Sequence, residues 1–263
     1  MKTAYLGPEG SYSQLAGIKL CGNCELLPYQ SFASVVQALL DKSVDFAVLP
    51  VENSLNGAVT QVLDLLQEAK DIRAVKTCSL EIYHRLVTLA GADLKKITKI
   101  YSHRQALEQC AGYLNKNFPE AQQIAVTSTS ASLSMLKDGS CACIAGSHTA
   151  DERYTVYPQN IADESKNFTQ FLLVERGEIL QGTRSQYIFL SATCRHQSGA
   201  LLNILKPLSN INITRLESRP IKERTGEFVF FMELQADFSD EKVISALENL
   251  KKQANSVKIL GCY

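Results

Sequence analysis

Chemistry in this chain concentrates where short apolar runs give way to polar turns. These turns are Gly7-Pro8-Glu9-Gly10-Ser11-Tyr12-Ser13, Pro50-Val51-Glu52-Asn53-Ser54, Ser102-His103, Thr127-Ser128-Thr129-Ser130 and Gly146-Ser147. In open α/β sheets, ligands collect beyond the carboxyl ends of the strands, where helix amino termini present unpaired N–H groups. The set supplies hydroxyls, amides and backbone donors around one carboxylate, Glu52, and so suits a small anion rich in oxygens. Each Ser, Thr or Asn is by itself an ordinary helix cap, worth about 1 kcal/mol. Glu52 beside Asn53 departs from capping, which needs a single acceptor. His103 reads equally as a base or as a surface residue near a helix start. Gln105 and Gln109 lie opposite the Leu107 and Leu114 stripe, where periodicity predicts solvent. Thr169, inside Asn167-Phe-Thr-Gln-Phe171, is either a β-branched strand filler or a hydroxyl aimed into a site.

Other chemistries are poorly served. The first loop lacks the Gly-Lys-Ser/Thr ending of a P-loop and the Gly-x-Gly-x-x-Gly of a dinucleotide site. Cys21-Gly-Asn-Cys24 has the spacing of a redox motif or of half a zinc site, but no second pair follows at suitable spacing, so neither metal nor redox use is expected. The 27 basic and 27 acidic residues balance, and no basic run breaks that balance, which argues against nucleic acid as a partner. No apolar signal core and no long uncharged stretch occurs, so no membrane partner is expected and the chain is placed in the cytoplasm. There, eight cysteines in 263 residues read as reduced packing residues.

The elements that must position these turns follow an α/β rhythm with largely parallel strands. Strands are predicted at 2–6, 25–28, 46–49, 72–82, 85–89, 97–101, 124–126, 141–145 and 168–174. Helices fall at 11–20, after Ser31, over the Val59, Val62, Leu63, Leu66 stripe, along Leu107, Cys110, Ala111 and Leu114, before Lys137, and from Ser147. Two lobes result, and the strand at 168–174 can return to the first. A polar connection over 178–186, with Gly177 and Gly182, marks a boundary between units spanning 1–178 and 184–263. The second unit runs as strand 186–193, helix 199–209 with Leu201, Leu202 and Leu205 inward, strands 211–218 and 227–236, helix 240–252 and strand 257–260. That is a ferredoxin-like βαββαβ order.

Taken together, GPEGSYS at the start, VLPVENSLNGAV through Glu52, IYSHRQALEQC, TSTSASL and NFTQFLLV resemble the prephenate dehydratase family. SGALLNIL and ITRLESRP resemble the two segments of its ACT regulatory domain that bind phenylalanine. The resemblance spans nearly the whole chain. It implies a two-lobed catalytic unit similar to type II periplasmic binding proteins, followed by an ACT domain. It also implies conversion of prephenate to phenylpyruvate with loss of water and carbon dioxide, in phenylalanine synthesis, without metal or organic cofactor. Matching motifs assign catalytic roles to Thr169, Glu52, Asn53, Ser102 and Gln109, and substrate contacts to Ser11, Ser54, Ser128 and Thr129. Phenylalanine would be bound by Gly199, Ala200, Leu201, Leu202, Glu217, Ser218, Arg219 and Pro220, with ACT domains pairing in a homodimer or homotetramer.

The chemistry accounts for such residues. Prephenate becomes aromatic as hydroxide and carbon dioxide depart, so protonation and geometry suffice. A cation clamped on the departing carboxylate would oppose decarboxylation, whereas neutral donors hold it with less penalty. Thr169 would orient or relay a proton, and Glu52, its pKa raised by burial, would supply it. Two departures stand out: the family's Thr-Arg-Phe is Thr169-Gln170-Phe171, and its Ser-His-Pro-Gln is Ser102-His103-Arg104-Gln105. Alternation along a strand turns residue 170 away from Thr169, which makes the missing arginine structural, and Arg104 is the candidate replacement. Arogenate dehydratase and non-aromatising prephenate decarboxylase are neighbouring activities, and a solute-sensing binding protein is the non-enzymatic alternative. A chorismate mutase fusion is not expected, because the chain begins within the first dehydratase strand.

Overall fold

The structure is a computed structural model, and it describes residues 1–129, 131–146, 151–164, 166–194, 197–221 and 227–263. Ser130 and the helix expected from Ser147 lie outside the described residues. The first lobe begins with β1 (Lys2–Leu6), α1 (Tyr12–Cys21), β2 (Glu25–Tyr29), α2 (Phe32–Leu40), β3 (Phe46–Asn53), β4 (Gly57–Ala58), α3 (Thr60–Glu68) and β5 (Ile72–Glu81). Local chemistry sets these boundaries. Ser11 caps α1 by accepting from the Gln14 amide, and Ser31 and Ser34 form a reciprocal capping box on α2. The α2 stripe of Val35, Val36 and Leu39 is buried against the sheet.

The chain crosses at 82–84 into a second lobe built from β6 (Arg85–Leu89), β7 (Lys99–His103), α4 (Arg104–Gln109), α5 (Ala111–Asn117), β8 (Gln122–Val126), β9 (Cys141–Ala145) and β10 (Tyr154–Val156). It then returns as β11 (Phe168–Arg176), which inserts antiparallel between β3 and β5. The return strand is therefore as expected, but the sheets are mixed rather than largely parallel. Parallel pairing is confined mainly to β1 with β2 and β3, and β7 with β8 and β9.

Three local expectations change. The strand predicted at 97–101 starts at Lys99, because Asp93 caps a 3₁₀ turn over Leu94–Lys96 that pulls Ile97 out of the sheet. The helix through Leu107 and Leu114 breaks at Cys110 (φ −113°, ψ 10°), and Asp163 accepts from the Gly112 and Tyr113 amides at the new start. The helix before Lys137 is a 3₁₀ turn, Ala131–Met135, in a serine-rich stretch whose hydroxyls bond to nearby backbone.

The remaining residues form β12 (Tyr187–Cys194), α6 (Ala200–Leu205), β13 (Asn212–Pro220), β14 (Phe228–Gln235), α7 (Glu241–Gln253) and β15 (Ser256–Cys262), in the expected βαββαβ order. Leu201 and Leu202 do not point inward: they are 38% and 68% exposed, and Ala200, Ile204 and Leu208 form the buried row instead. The units before and after the polar connection share one sheet, ordered β13-β14-β12-β15-β5-β11-β3-β1-β2. Its junction is Gly261 against Ala74. A Cβ on Gly261 would lie 2.5 Å from the Ala74 Cβ and 2.8 Å from its carbonyl oxygen. Gly261→Ala should therefore lower the urea midpoint, by about 1–3 kcal/mol of stability. An unchanged midpoint would show that the junction yields freely. No helix among the described residues is long and apolar enough to cross a membrane.

Candidate active site

A cleft of about 310 Å³ opens between the lobes. Its first-lobe wall carries Leu6, Tyr12 and Asn53; the crossings contribute Ile82, His84, Asn167 and Thr169; the second lobe adds His103, Gln105, Ala106, Gln109 and Thr127-Ser128-Thr129. No carboxylate, lysine or arginine is among these described lining residues.

A chain of amides spans the cleft, and its orientation is fixed from one end. Asn53 Oδ1 accepts from the Leu55 and Asn56 amides, each at 3.1 Å, and from Asn56 Nδ2 at 2.8 Å. Its Nδ2 must then face the other way, donating to Thr169 Oγ1 at 2.9 Å and to Asn167 Oδ1 at 2.6 Å. Asn167 Nδ2 in turn donates to Gln109 Oε1 at 3.3 Å, and the same oxygen lies 2.7 Å from His84 Nε2. Two consequences follow. The Thr169 oxygen accepts from Asn53, which leaves its O–H to donate into the cleft. Gln109 Nε2, buried and without a partner among the described residues, is a donor waiting for an acceptor.

His84 completes the chain as a neutral donor. Burial holds its imidazole below the ordinary value of 6.5, against the opposing pull of the Gln109 hydrogen bond. The unfolded chain therefore binds this proton at higher pH than the folded one, so stability rises with pH through the window just below about 6.5 and is lost beneath it. His84→Gln should flatten the decline in urea midpoint between about pH 7 and about pH 5. An unaltered acid slope would exclude His84 as its source. Burial also raises the Tyr12 phenol, which exchanges hydrogen bonds with the Tyr83 backbone and ties α1 to the lobe crossing.

The structure brings Asn53, Gln109, Thr169, Ser128 and Thr129 to the cleft, and leaves four expected residues elsewhere. Glu52 projects from the opposite face of the sheet, where its Oε2 accepts from Arg215 Nε at 2.7 Å. It is not the buried acid anticipated from the sequence, because it alternates with Asn53 along β3. Ser102 is fully buried and donates to the Ile144 carbonyl at 2.8 Å. Ser11 is spent on the α1 cap and the Leu6 carbonyl. Ser54 Oγ accepts from the Phe168 amide at 2.9 Å, stapling β3 to β11. Arg104 does not replace the missing arginine: it is exposed and paired with Glu108. Gln105 and Gln109, expected in solvent from periodicity, face the cleft, because the second lobe packs its α4 surface toward the first. His84 carried no local signal at all; only its place beside the lobe crossing could have suggested it.

A two-lobed α/β enzyme of the type II periplasmic-binding-protein kind, with a cleft of neutral donors, is the class that this fold and site define. A family model described as prephenate dehydratase matches residues 3–179, and the chain belongs to that family. The bifunctional chorismate mutase/prephenate dehydratase of Neisseria gonorrhoeae is 34% identical to it, over 99% of this chain and 73% of its own length. The structure of prephenate dehydratase from Arthrobacter aurescens in complex with L-Phe superposes with a TM-score of 0.90 at 26% identity, covering 100% of this chain and 90% of that one. GqqA, a quorum quenching acylase, has a TM-score of 0.88 at 25% identity, covering 100% and 97% respectively.

Proposed function

We propose that the cleft converts prephenate to phenylpyruvate, with Thr169 donating a hydrogen bond to the departing hydroxyl while neutral groups hold the carboxylates. The observation that carries this reading is the Thr169 hydroxyl, aimed by Asn53 into a cleft whose described lining has no fixed charge. Gln109 Nε2 and the Ser128 and Thr129 hydroxyls are the carboxylate donors. Such donors restrain a carboxylate without stabilising it so strongly that carbon dioxide cannot leave. Because Glu52 is absent from the cleft, the proton passes through Thr169 from water rather than from a neighbouring acid. Incubation with prephenate should yield phenylpyruvate, detected by its absorbance in alkali; decarboxylation without that absorbance would assign the non-aromatising reaction instead. Acyl-bond cleavage is not favoured, since no serine or threonine hydroxyl of the described lining bonds to either imidazole.

The carboxyl-terminal unit, an ACT domain on this reading, acts as the sensor of L-phenylalanine in a homo-oligomer. Support comes from its free edge. β13 is the outermost strand, and Leu216 on it is 45% exposed on the same side of the sheet as the exposed Leu201 and Leu202 of α6. The effector would lie between Gly199, Ala200, Leu201 and Leu202 of one subunit and the Glu217–Pro220 strand end of another. Ser218 and Pro220 share that outer face, whereas Glu217 and Arg219 face the first lobe, where Arg219 pairs with Asp64 at 2.9 Å. Gly199 has a φ of +79°, a left-handed geometry that a β-branched residue resists. Gly199→Val should raise the phenylalanine concentration for half inhibition about tenfold or more, matching a coupling of about 1–3 kcal/mol. Unchanged inhibition would remove this segment from the effector site. Eight free cysteines, five of them buried, support placement in the cytoplasm.

A further inference from the structure

Directly behind the Asn53–Thr169 pair, on the other face of the same two strands, lies a buried polar cluster whose central charge comes from the carboxyl-terminal unit. The register that pairs Asn53 with Thr169 also pairs Glu52 with Gln170. Arg215 of β13 holds both: Nε donates to Glu52 Oε2 at 2.7 Å, and Nη2 donates to Gln170 Oε1. Arg215 is only 8% exposed, with its guanidinium over the Phe189 ring. Glu233 of β14, 5% exposed, lies 3.5 Å from Arg215 Nη2 and accepts from Tyr263, Thr214 and Gln170. Gln170 Nε2 also donates to Thr77 of β5. Burial and the Glu233 charge raise the Tyr263 phenol well above its ordinary value, which keeps it a donor.

The arrangement is asymmetric in what it can transmit. β13 carries both Arg215 and the strand end assigned to the effector, so a displacement of that strand is felt at Glu52 and Gln170. On the catalytic side, the β3–β11 ladder slips between Gln170 and Phe171, with Glu52 paired to Gln170 but Pro50 paired to Phe171. Such a bulge bends β3 locally between Pro50 and Glu52, where Val51 has no opposite number on β11. Asn53 and Thr169 pair beyond the slip, in the same short stretch of ladder as Glu52 and Gln170.

We infer that Arg215 is a positioning residue: through Glu52 and Gln170 it sets the Asn53–Thr169 pair, and it is the link by which a change at β13 reaches the cleft. The inference rests on the dehydratase reading for its kinetic consequence, but its structural part can be read without turnover. The test compares the full chain with Arg215→Met, Arg215→Lys and Glu52→Gln. Hydrogen exchange is followed in peptides covering 50–54 and 167–171, alongside prephenate kinetics with and without L-phenylalanine. Arg215→Met should speed exchange in both peptides about tenfold, with β1 and β2 unchanged. It should lower kcat about tenfold with KM within about twofold, and raise the half-inhibiting phenylalanine concentration about fivefold. Arg215→Lys should restore part of each effect. Glu52→Gln keeps an acceptor in place and should shift all three readouts the same way by less, so it carries the test should Arg215→Met fail to fold. Unchanged exchange in both peptides would overturn the inference, as would altered exchange with kcat and inhibition both intact. If wild type left prephenate untouched while exchange responded as described, the mechanical link would stand and the reaction assignment would fall.

Discussion

Thr169→Ala should turn prephenate over about 10²- to 10⁴-fold more slowly than wild type, the range that one positioned proton donor contributes. The loss should appear in kcat rather than in KM if, as proposed, the hydroxyl serves the bond that breaks and not a carboxylate that binds. Thr169→Ser, which keeps the O–H and its acceptance from Asn53, should recover most of the rate. Initial rates of phenylpyruvate formation decide the matter, with circular dichroism as the control for folding. An alanine variant within about threefold of wild type would remove Thr169 from the reaction.

Asn53→Ala should be comparably severe, for a different reason. Both ends of the Asn53 amide are engaged within the protein. Its amide is anchored by Leu55 and Asn56 and delivers the bond that turns the Thr169 hydroxyl outward. Truncation releases Thr169 and Asn167 together, and through Asn167 it loosens Gln109. The expected fall in kcat is about 10²-fold or more, and the Asn53→Ala/Thr169→Ala double variant should be little worse than the poorer single. Independent, multiplying losses would show that Asn53 touches the substrate in its own right. Residual protein stability, measured alongside, should drop by about 1–3 kcal/mol, because Asn167 and two backbone amides lose their partners in a partly buried site.

How much of this was legible beforehand depended on whether the signal was local. Asn53, Gln109 and Thr169 stood inside recognisable segments, and so did the caps at Ser11 and Ser31. Glu52 stood in the same segment and went the other way, since neighbours on a strand face opposite sides. Ser102 failed for a similar reason: its hydroxyl is consumed by the Ile144 carbonyl of the adjacent strand. The run Ala200-Leu201-Leu202 has no unique helical phase, so the buried row had to be set by packing rather than by hydrophobicity. His84 and Asn167 meet only because the chain crosses between lobes twice, at points 83 residues apart in the numbering, and no window of sequence contains both. Arg215 is the extreme case. It lies in the unit read as regulatory, yet its guanidinium rests against Gln170, where the family's own arginine is missing.

The seam at Gly261 also bears on how this protein could be dissected. Phe189, Phe231 and Leu260 from the later unit pack in the same apolar cluster as Leu63, Ile72 and Val174 from the earlier one. Lys258 plants its ammonium on the Leu66 and Gln67 carbonyls, closing the end of α3. A gene truncated at the linker would therefore yield a fragment with a bared oily flank, an invitation to clump. Shortened versions would be recovered from inclusion bodies rather than as a deregulated catalyst, and release from feedback is better sought by single substitutions than by amputation.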